Sequence, residues 1–342
     1  MKITTVIPTR NRPTHVRKVL ATLQTQTRQS DEIIIVDSSD EIKHLDVIKE
    51  IFQDLPLKYI SSEASVCIQR NIGIAQATGD WIFLCDDDIE LSKDYLEKLE
   101  QYITLHPECS AAAGRLLQQE DDKWIDQYPV TGAKDLIWRF IFQLSVWGDL
   151  QNIKSSFSPV NLLLVYIKKF YSRRANSVTL AGWPLITSWS TSFQTTIYSL
   201  GADLIRRDWL LQSPYDEVLD PSGIGDNYGV AIGFPQSRGI HVIDSTIAYH
   251  HRANENRLDR TLAYYRRVLA LHYFIKKSKR FGHATTLFFL WSLTGNALLY
   301  TAKGSKKMIR ANLKIILLIL TNRNPYWLAF KKNKKVTRPD FI

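Results

Sequence analysis

Between Asp259 and Asp340 the chain has no aspartate or glutamate, while the same stretch carries 18 lysines and arginines. A packed appendage normally mixes both signs on its solvated face, so a tail charged this one-sidedly calls for a negative surface. Cysteine is scarce too. Cys67, Cys85 and Cys109 are too few and too scattered for a disulfide framework or a zinc site, and they read as reduced, buried, small hydrophobes of a cytosolic protein. Long apolar runs are missing. The 19 uncharged residues from Ala284 to Ala302 are interrupted by Thr, Ser, Gly and Asn, and Leu313–Leu320 is too short to cross a bilayer. The start, MKITTVIPTRNRP, lacks the apolar core and small-residue cleavage site of a signal peptide and reads as a strand running into a loop.

The net charge of +10 therefore hides two regions. Residues 1–259 hold 26 basic and 33 acidic side chains, a mildly acidic body, and the tail is strongly basic. Apolar stretches flanked by Lys and Arg fit helices lying in the interface of an anionic membrane, with Trp291, Tyr326 and Trp327 at headgroup level. A packed helical appendage or one poor transmembrane span are the alternatives. A nucleic-acid tail would not need such apolar runs, and no nucleic-acid partner is expected.

The first half alternates strand and helix patterns. Ile3–Ile7, Glu32–Asp37, Leu57–Ser61 and Trp81–Cys85 read as strands, and Ser110–Gly114 opens another. Between them Pro13–Gln26, Ile42–Phe52, Ser65–Ala77 and Tyr95–Leu105 read as helices. Repeated βα units predict a mostly parallel, doubly wound α/β sheet with ligands at the carboxyl ends of its strands. Polar clusters stand at three of those ends: Thr9-Arg10-Asn11-Arg12, Asp37-Ser38-Ser39-Asp40 and Asp86-Asp87-Asp88.

Three consecutive aspartates repel one another, and ending a strand does not require them. Oxygen-only ligands suit Mg²⁺ or Mn²⁺, which are held by one or two carboxylates together with substrate phosphates. An Asp-x-Asp would clamp such an ion onto a diphosphate. An EF-hand is excluded because Leu91 stands where its glycine is needed and no helix precedes the loop. A solvated acidic turn capping the helix at Ser92 is the plainer alternative.

The runs VIPTRNRP (6–13), IIIVDSSD (33–40), QRNIGIAQATGDWIFLCDDD (69–88), LGADLIRRDWL (200–210), YDEVLDPSGIGDN (215–227) and YHHR (249–252) resemble the family-2 glycosyltransferases of the GT-A fold, of bacterial surface-polysaccharide type. They occur in the family's order, while residues 118–195 match no motif. The resemblance implies a GT-A domain over residues 1–257, with 118–195 an insertion and acceptor-side region, followed by a basic helical region over 258–342. It also implies that Pro8, Thr9 and Arg10 line a nucleotide pocket, that Asp37 faces the base, and that Arg70 and Asn71 sit over the nucleotide. Asp86 and Asp88 would form the metal-holding Asp-x-Asp motif, with Asp87 beside the donor. Chemistry agrees for several of these. A carboxylate at Asp37 accepts from the ring N–H of uracil, thymine or guanine, whereas cytosine offers only an acceptor there. Arg70 can fork onto phosphate or a carbonyl.

Inverting sugar transfer needs a base to deprotonate the acceptor hydroxyl. The family usually places Glu-Asp at a helix start after a glycine-rich turn. Here the turn is Ser222-Gly223-Ile224-Gly225 and the pair reads Asp226-Asn227, so Asp226 is the expected base, with a helix N-cap as the competing use of the same side chain. By resemblance, Gly201-Ala202 lets a ligand approach the backbone, and His250, closing a strand over Val242–Tyr249, contacts the metal or diphosphate. Residues 133–172 read as an insertion with helical stretches, apolar enough to bury or to rest on lipid. Trp147, Trp183 and Trp189 belong to the core or stack on sugar.

The expectation is a metal-dependent, inverting glycosyltransferase, peripheral on the cytoplasmic membrane face. It would move a sugar from a nucleoside-diphosphate sugar to a glycan or lipid-linked acceptor, with residues 260–338 against anionic lipid. The alternatives are a polyprenyl-phosphate sugar synthase and, because Asn227 replaces an acid, a catalytically inactive nucleotide-sugar-binding scaffold.

Overall fold

The computed structural model describes residues 1–41, 44–120, 123–189, 191–235, 239–252 and 258–341. Two compact units alternate along the chain, the first made of Met1–Asp126 and Tyr198–Arg257, the second of Gln127–Ile197 and Leu258–Ile342. In chain order the first unit opens with β1 (Ile3–Thr9), α1 (Pro13–Gln24), β2 (Glu32–Asp37), α2 (His44–Ile51), β3 (Leu57–Ser61) and α3 (Val66–Gln76). It continues with β4 (Trp81–Cys85), β5 (Ile89–Leu91), α4 (Tyr95–Leu105), β6 (Ala111–Glu120) and β7 (Lys123–Ile125). The second unit then contributes α5 (Ala133–Ile141), β8 (Val146–Trp147), α6 (Ser158–Arg174), β9 (Ser177–Val178), β10 (Pro184–Ile186) and β11 (Ser192–Thr195). The first unit resumes with β12 (Ala202–Arg206), α7 (Arg207–Gln212), α8 (Asp226–Gly233) and β13 (Ile240–His250). The second closes with α9 (Arg260–Lys277), α10 (His283–Ala302), α11 (Lys306–Leu320) and α12 (Pro325–Lys331). Of the helix expected over Ile42–Phe52, the first two residues, Ile42 and Lys43, lie outside the described residues.

In the first unit the sheet runs β13-β6-β12-β4-β1-β2-β3. Strands β4, β1, β2 and β3 are mutually parallel, as the βα alternation predicts, because each crossover is long enough for a helix. Their runs Ile33–Val36 and Ile82–Cys85 are buried throughout, the mark of strands covered on both faces. Strand β12 departs from the pattern. It inserts antiparallel between β4 and β6, pairing Ala202 with Cys85 and Asp203 with Ala113. No periodicity in LGADLIRRDWL announces a strand of this direction, since the pairing partners lie about a hundred residues earlier in the chain.

Topology alone gathers one edge of this sheet. The carboxyl ends of β1, β2 and β4 deliver Thr9, Asp37 and Asp86 side by side. Antiparallel β12 brings its beginning, Gly201-Ala202, to the same edge, and the Asp86 N–H donates to the Gly201 carbonyl at 2.9 Å. Strand β13 runs parallel to β6, so it ends there too, with His250.

The second unit has its own cores. One is Val130, Leu136, Val146, Leu150, Leu164, Ile167, Tyr171 and Leu185, clasped by α5 and α6. Another surrounds α9, whose residues from Val268 to Ile275 are all buried. Asp259 caps α9, accepting from the Thr261 and Leu262 N–H groups at 2.9 and 3.2 Å. Trp183 is core in this unit: it stacks on Phe289 and its Nε1–H donates to Ser292 at 2.8 Å. Trp147 and Trp189 remain half-buried with their rings 6.5 Å apart. Among the described residues no helix is long and apolar enough to cross a membrane.

Candidate active site at the carboxyl edge of the sheet

Arg70 lies at the centre of the site. It sits on α3, almost fully buried, with its guanidinium forked between two carboxylates that are far apart in sequence. One fork reaches Asp86 Oδ1 at 2.5 Å and the other reaches Asp226 Oδ2. The Tyr215 ring lies under the same guanidinium, 4.9 Å from its carbon. Burial pulls the Arg70 guanidinium down, but Asp86, Tyr215 and Asp226 outweigh it and push it well above its ordinary value. Burial also pushes the Asp226 carboxyl up to about 6, and Arg70 keeps it from rising further.

Asp226 occupies the first turn of α8 rather than its cap. The cap is Gly225, at φ 99°, and the preceding Gly223 has φ 62°. Both conformations are left-handed and favour glycine, so the Ser-Gly-Ile-Gly turn is what swings the Asp226 side chain toward Arg70. Its other oxygen accepts from the Asn227 N–H at 2.7 Å. The Asn227 side-chain oxygen is buried with no hydrogen-bond partner. That orphan acceptor, facing the role of the family's second acid, can take a hydrogen bond but not hold a proton at neutral pH.

The three aspartates divide their work. Asp87 is turned inward, where its carboxylate accepts from Thr9 Oγ1 at 2.7 Å and pairs with Arg12 at 2.9 Å. Burial raises its carboxyl to about 6 against the pull of Arg12. This bracket ties the end of β4 to the end of β1 and fixes the directions of its neighbours. Asp86 keeps about a quarter of its side chain exposed. A Cβ at position 201 would lie 2.5 Å from Asp86 Oδ2, so glycine there is what leaves room for this carboxylate. Asp88 points to His250, whose Nε2 is 3.2 Å from Asp88 Oδ1, while the His250 Nδ1 is buried without a hydrogen-bond partner. Its neighbour His251 turns to Glu90 instead, as period 2 requires.

Asp88 and His250 form an ordinary ion-pair contact at 3.2 Å, and their carboxylate and imidazole are donor types that a divalent ion such as Mn²⁺ accepts. Among the described residues no three His, Cys, Asp or Glu side chains converge enough to hold a metal alone. An ion here would need further oxygens from a ligand, the pattern of Mg²⁺ bound with substrate phosphates.

The residues expected on the nucleotide side lie as follows. Asp37 ends β2, buried, accepting from the Tyr59 hydroxyl and from the Ser39 N–H at 2.7 Å. Arg10 pairs with Asp40 at 3.3 Å and stays partly exposed. Pro8 is buried in β1 and opposes Val36. Asn71 donates to the Tyr215 carbonyl at 2.9 Å and to Glu217 at 3.1 Å, and accepts from the Tyr215 N–H, so its side chain braces the loop that carries Tyr215. Ala202 is buried at the start of β12.

Four residues of this site escaped the sequence reading. Arg12 is the counter-ion of Asp87. Gln69 donates at 2.7 Å to both the Thr9 and Val36 carbonyls, stitching two strand ends together. Tyr215 supports Arg70. Asp203 is fully buried beside them, its carboxyl pushed well above the usual range by desolvation. Arg12 and Gln69 stood inside quoted motifs, and a buried-charge count at the strand ends would have asked for a second cation. Tyr215 and Asp203 also stood inside quoted motifs, but nothing in their local pattern announced that they would be buried beside Arg70.

Residues 4–156 match the model of Glycosyl transferase family 2. The uncharacterized glycosyltransferase YwdF of Bacillus subtilis is 35% identical over 105 residues, covering 30% of this chain and 38% of that protein. The glycosyltransferase GlyA of Streptococcus pneumoniae is 31% identical over 104 residues, 30% of this chain and 15% of that protein. The chain thus spans well under half the length of these curated relatives. Among solved structures, S. aureus TarS 1-349 superposes with a TM-score of 0.55 at 13% identity, covering 98% of this chain and 92% of that one. The mannosyltransferase PcManGT of Pyrobaculum calidifontis, solved with GDP-Man and Mn²⁺, gives 0.51 at 14% identity, covering 97% and 86%. Identities this low speak for the fold, a GT-A-like α/β fold with a mostly parallel central sheet and C-terminal helices, and it is residues 4–156 that carry the sequence match to glycosyltransferase family 2.

Proposed function

We propose that the protein transfers a sugar, with inversion, from a nucleoside-diphosphate sugar to a glycan or lipid-linked acceptor. The observation that carries this reading is the shared guanidinium. Asp86 of the expected donor motif and Asp226, the expected base, are 140 positions apart in sequence, yet both pair with Arg70. If those expectations hold, donor and acceptor chemistry meet at Arg70, which is what favours the reading. The solved neighbours add support on the donor side: TarS 1-349 was crystallised with UDP-GlcNAc and PcManGT with GDP-Man and Mn²⁺.

In this reading Asp37 accepts a ring N–H of the base, and Arg70 offers its fork to the diphosphate when donor displaces it from Asp86. Asp88 and His250 would hold Mg²⁺ or Mn²⁺, which when bound neutralises the leaving diphosphate. Asp87, locked by Thr9 and Arg12, fixes the direction of its two neighbours. Asp226 removes the proton from the attacking hydroxyl and is poised for it, since a carboxyl at about 6 is ionised at neutral pH yet more basic than a solvated one. The attack is direct and no covalent intermediate forms. The second unit supports a site at the cytoplasmic face of the membrane: Leu287 and Leu298 on α10, a helix with lysines and arginines before and after it in the chain, and Leu313, Leu317 and Leu320 on α11, which carries four lysines and arginines, are exposed.

The test is a transfer screen of nucleotide sugars with Mn²⁺, comparing wild type with Asp226→Asn. The Asn variant should lose transfer by about 10²-fold or more, the scale of general-base losses, with nucleoside-diphosphate affinity unchanged. Near-normal transfer by the Asn variant would remove Asp226 from the mechanism.

A further inference from the structure

The acid-free tail has a counterpart that the linear sequence conceals. From Leu150 to Ala202 there is again no aspartate or glutamate, against five lysines and arginines. Most of this segment and the tail fall in the same compact unit. Gln127–Ile197 and Leu258–Ile342 together hold 25 basic and 4 acidic residues, net +21, whereas the other unit holds 19 and 30, net −11. The acids are strongly segregated, 30 of the 34 lying in the first unit, while cations occur in both.

Helix α6 lies in the middle of the first of these segments. Its inner face, Leu164, Ile167 and Tyr171, is buried in the core shared with α5. An ordinary surface helix would be polar on the opposite side. This one is not. Leu162 is 75% exposed, Val165 63% and Tyr166 60%, and Phe157 just before the helix is 62% exposed. Lys169 and Arg173 continue the stripe, because positions 162, 165, 166, 169 and 173 follow the i, i+3, i+4, i+7, i+11 spacing of one helix face. The outer face of α6 is therefore apolar in its first half and basic in its second, with no acid on the helix.

We infer that the outer face of α6 is a membrane-docking element that seats its Leu162-Val165-Tyr166 stripe in the interface of an anionic bilayer, with Lys169 and Arg173 at the headgroups. Exposed aliphatic side chains beside unpaired cations, in a unit of net +21, match the chemistry of such a surface on both counts. The inference rests on the membrane-surface reading given above and adds a contact that the tail does not contain.

Co-sedimentation of full-length protein with phosphatidylcholine vesicles, with and without phosphatidylglycerol, separates the two ideas. Wild type should bind the anionic vesicles at low salt. Leu162→Ser/Val165→Ser changes only exposed positions, so melting temperature should hold while partitioning falls about tenfold or more. Lys169→Gln/Arg173→Gln should weaken binding to anionic vesicles and flatten its salt dependence. Leu313→Ser/Leu317→Ser, on α11, reports on the tail alone. If the α11 variant loses binding and the α6 variant binds like wild type, the α6 inference fails and the tail reading stands. Wild type that ignores anionic vesicles overturns both. Light scattering that shows a dimer dissolved by Leu162→Ser/Val165→Ser would assign the stripe to a second copy of the chain and overturn the inference as well.

Discussion

Replacing Arg70 by glutamine should raise the titration of Asp226, and the size of the change follows from geometry. In the wild type Asp226 is nearly buried, desolvation lifts it to about 6, and the adjacent guanidinium opposes that lift. Two unit charges about 4 Å apart interact by roughly 4 kcal/mol at an effective dielectric of 20, which corresponds to about three pKa units as a ceiling. Measured effects of a neighbouring opposite charge run at about 1–3 units, so Asp226 in Arg70→Gln should titrate near or above neutrality. The sign for stability is the same in both proteins. A carboxyl raised in the folded state contributes stability at low pH that is lost as pH climbs through its folded pKa. From the ordinary carboxylate value to about 6, that loss is about 3 kcal/mol in the wild type, and it grows in the variant. Carbon NMR of selectively labelled aspartate carboxyls reads the titration directly, with Asp226→Asn identifying the resonance. Asp226 titrating near 4 in the wild type, or at an unchanged pH in Arg70→Gln, would refute the reasoning.

Two further outcomes follow from the same edge of the sheet. The rate of transfer should fall about tenfold per unit as pH drops below about 6, because protonated Asp226 cannot act as a base; a rate flat down to pH 5 would mean another group accepts the proton. Gly201→Ala would place a methyl 2.5 Å from Asp86 Oδ2, so it should weaken nucleoside-diphosphate binding by about tenfold or more while the fold persists; unchanged affinity, measured by calorimetry, would show that the Asp86 position does not matter to the donor.

The parts of this fold written in local pattern were legible in advance. Buried runs such as Ile33–Val36 and the helices between them fixed the parallel core, and polar clusters at strand ends marked the edge where Thr9, Asp37 and Asp86 meet. Contacts made across long stretches of chain were not legible. The antiparallel insertion of β12 depends on β4 and β6 both offering free edges, a property of the sheet and not of residues 202–206. The partnership of Arg70 with Asp226 is likewise invisible locally, and so is the use of Asn71, which spends its hydrogen bonds on the Tyr215 loop. The gathering of two acid-free segments into one unit appears only once the chain is folded.

The most direct measurement is calorimetry of a nucleoside diphosphate binding to wild type and to Asp88→Asn, each with Mn²⁺ and with EDTA. Asp88 and His250 offer two donor atoms 3.2 Å apart and no third protein ligand converges among the described residues, so the ion and the phosphates should bind together or weakly. Wild type should bind the diphosphate at least about tenfold more tightly with Mn²⁺ than with EDTA, and Asp88→Asn should erase that difference while keeping its fold. Tight diphosphate binding that EDTA leaves untouched, or an Asp88→Asn variant that responds to Mn²⁺ like wild type, would contradict the account.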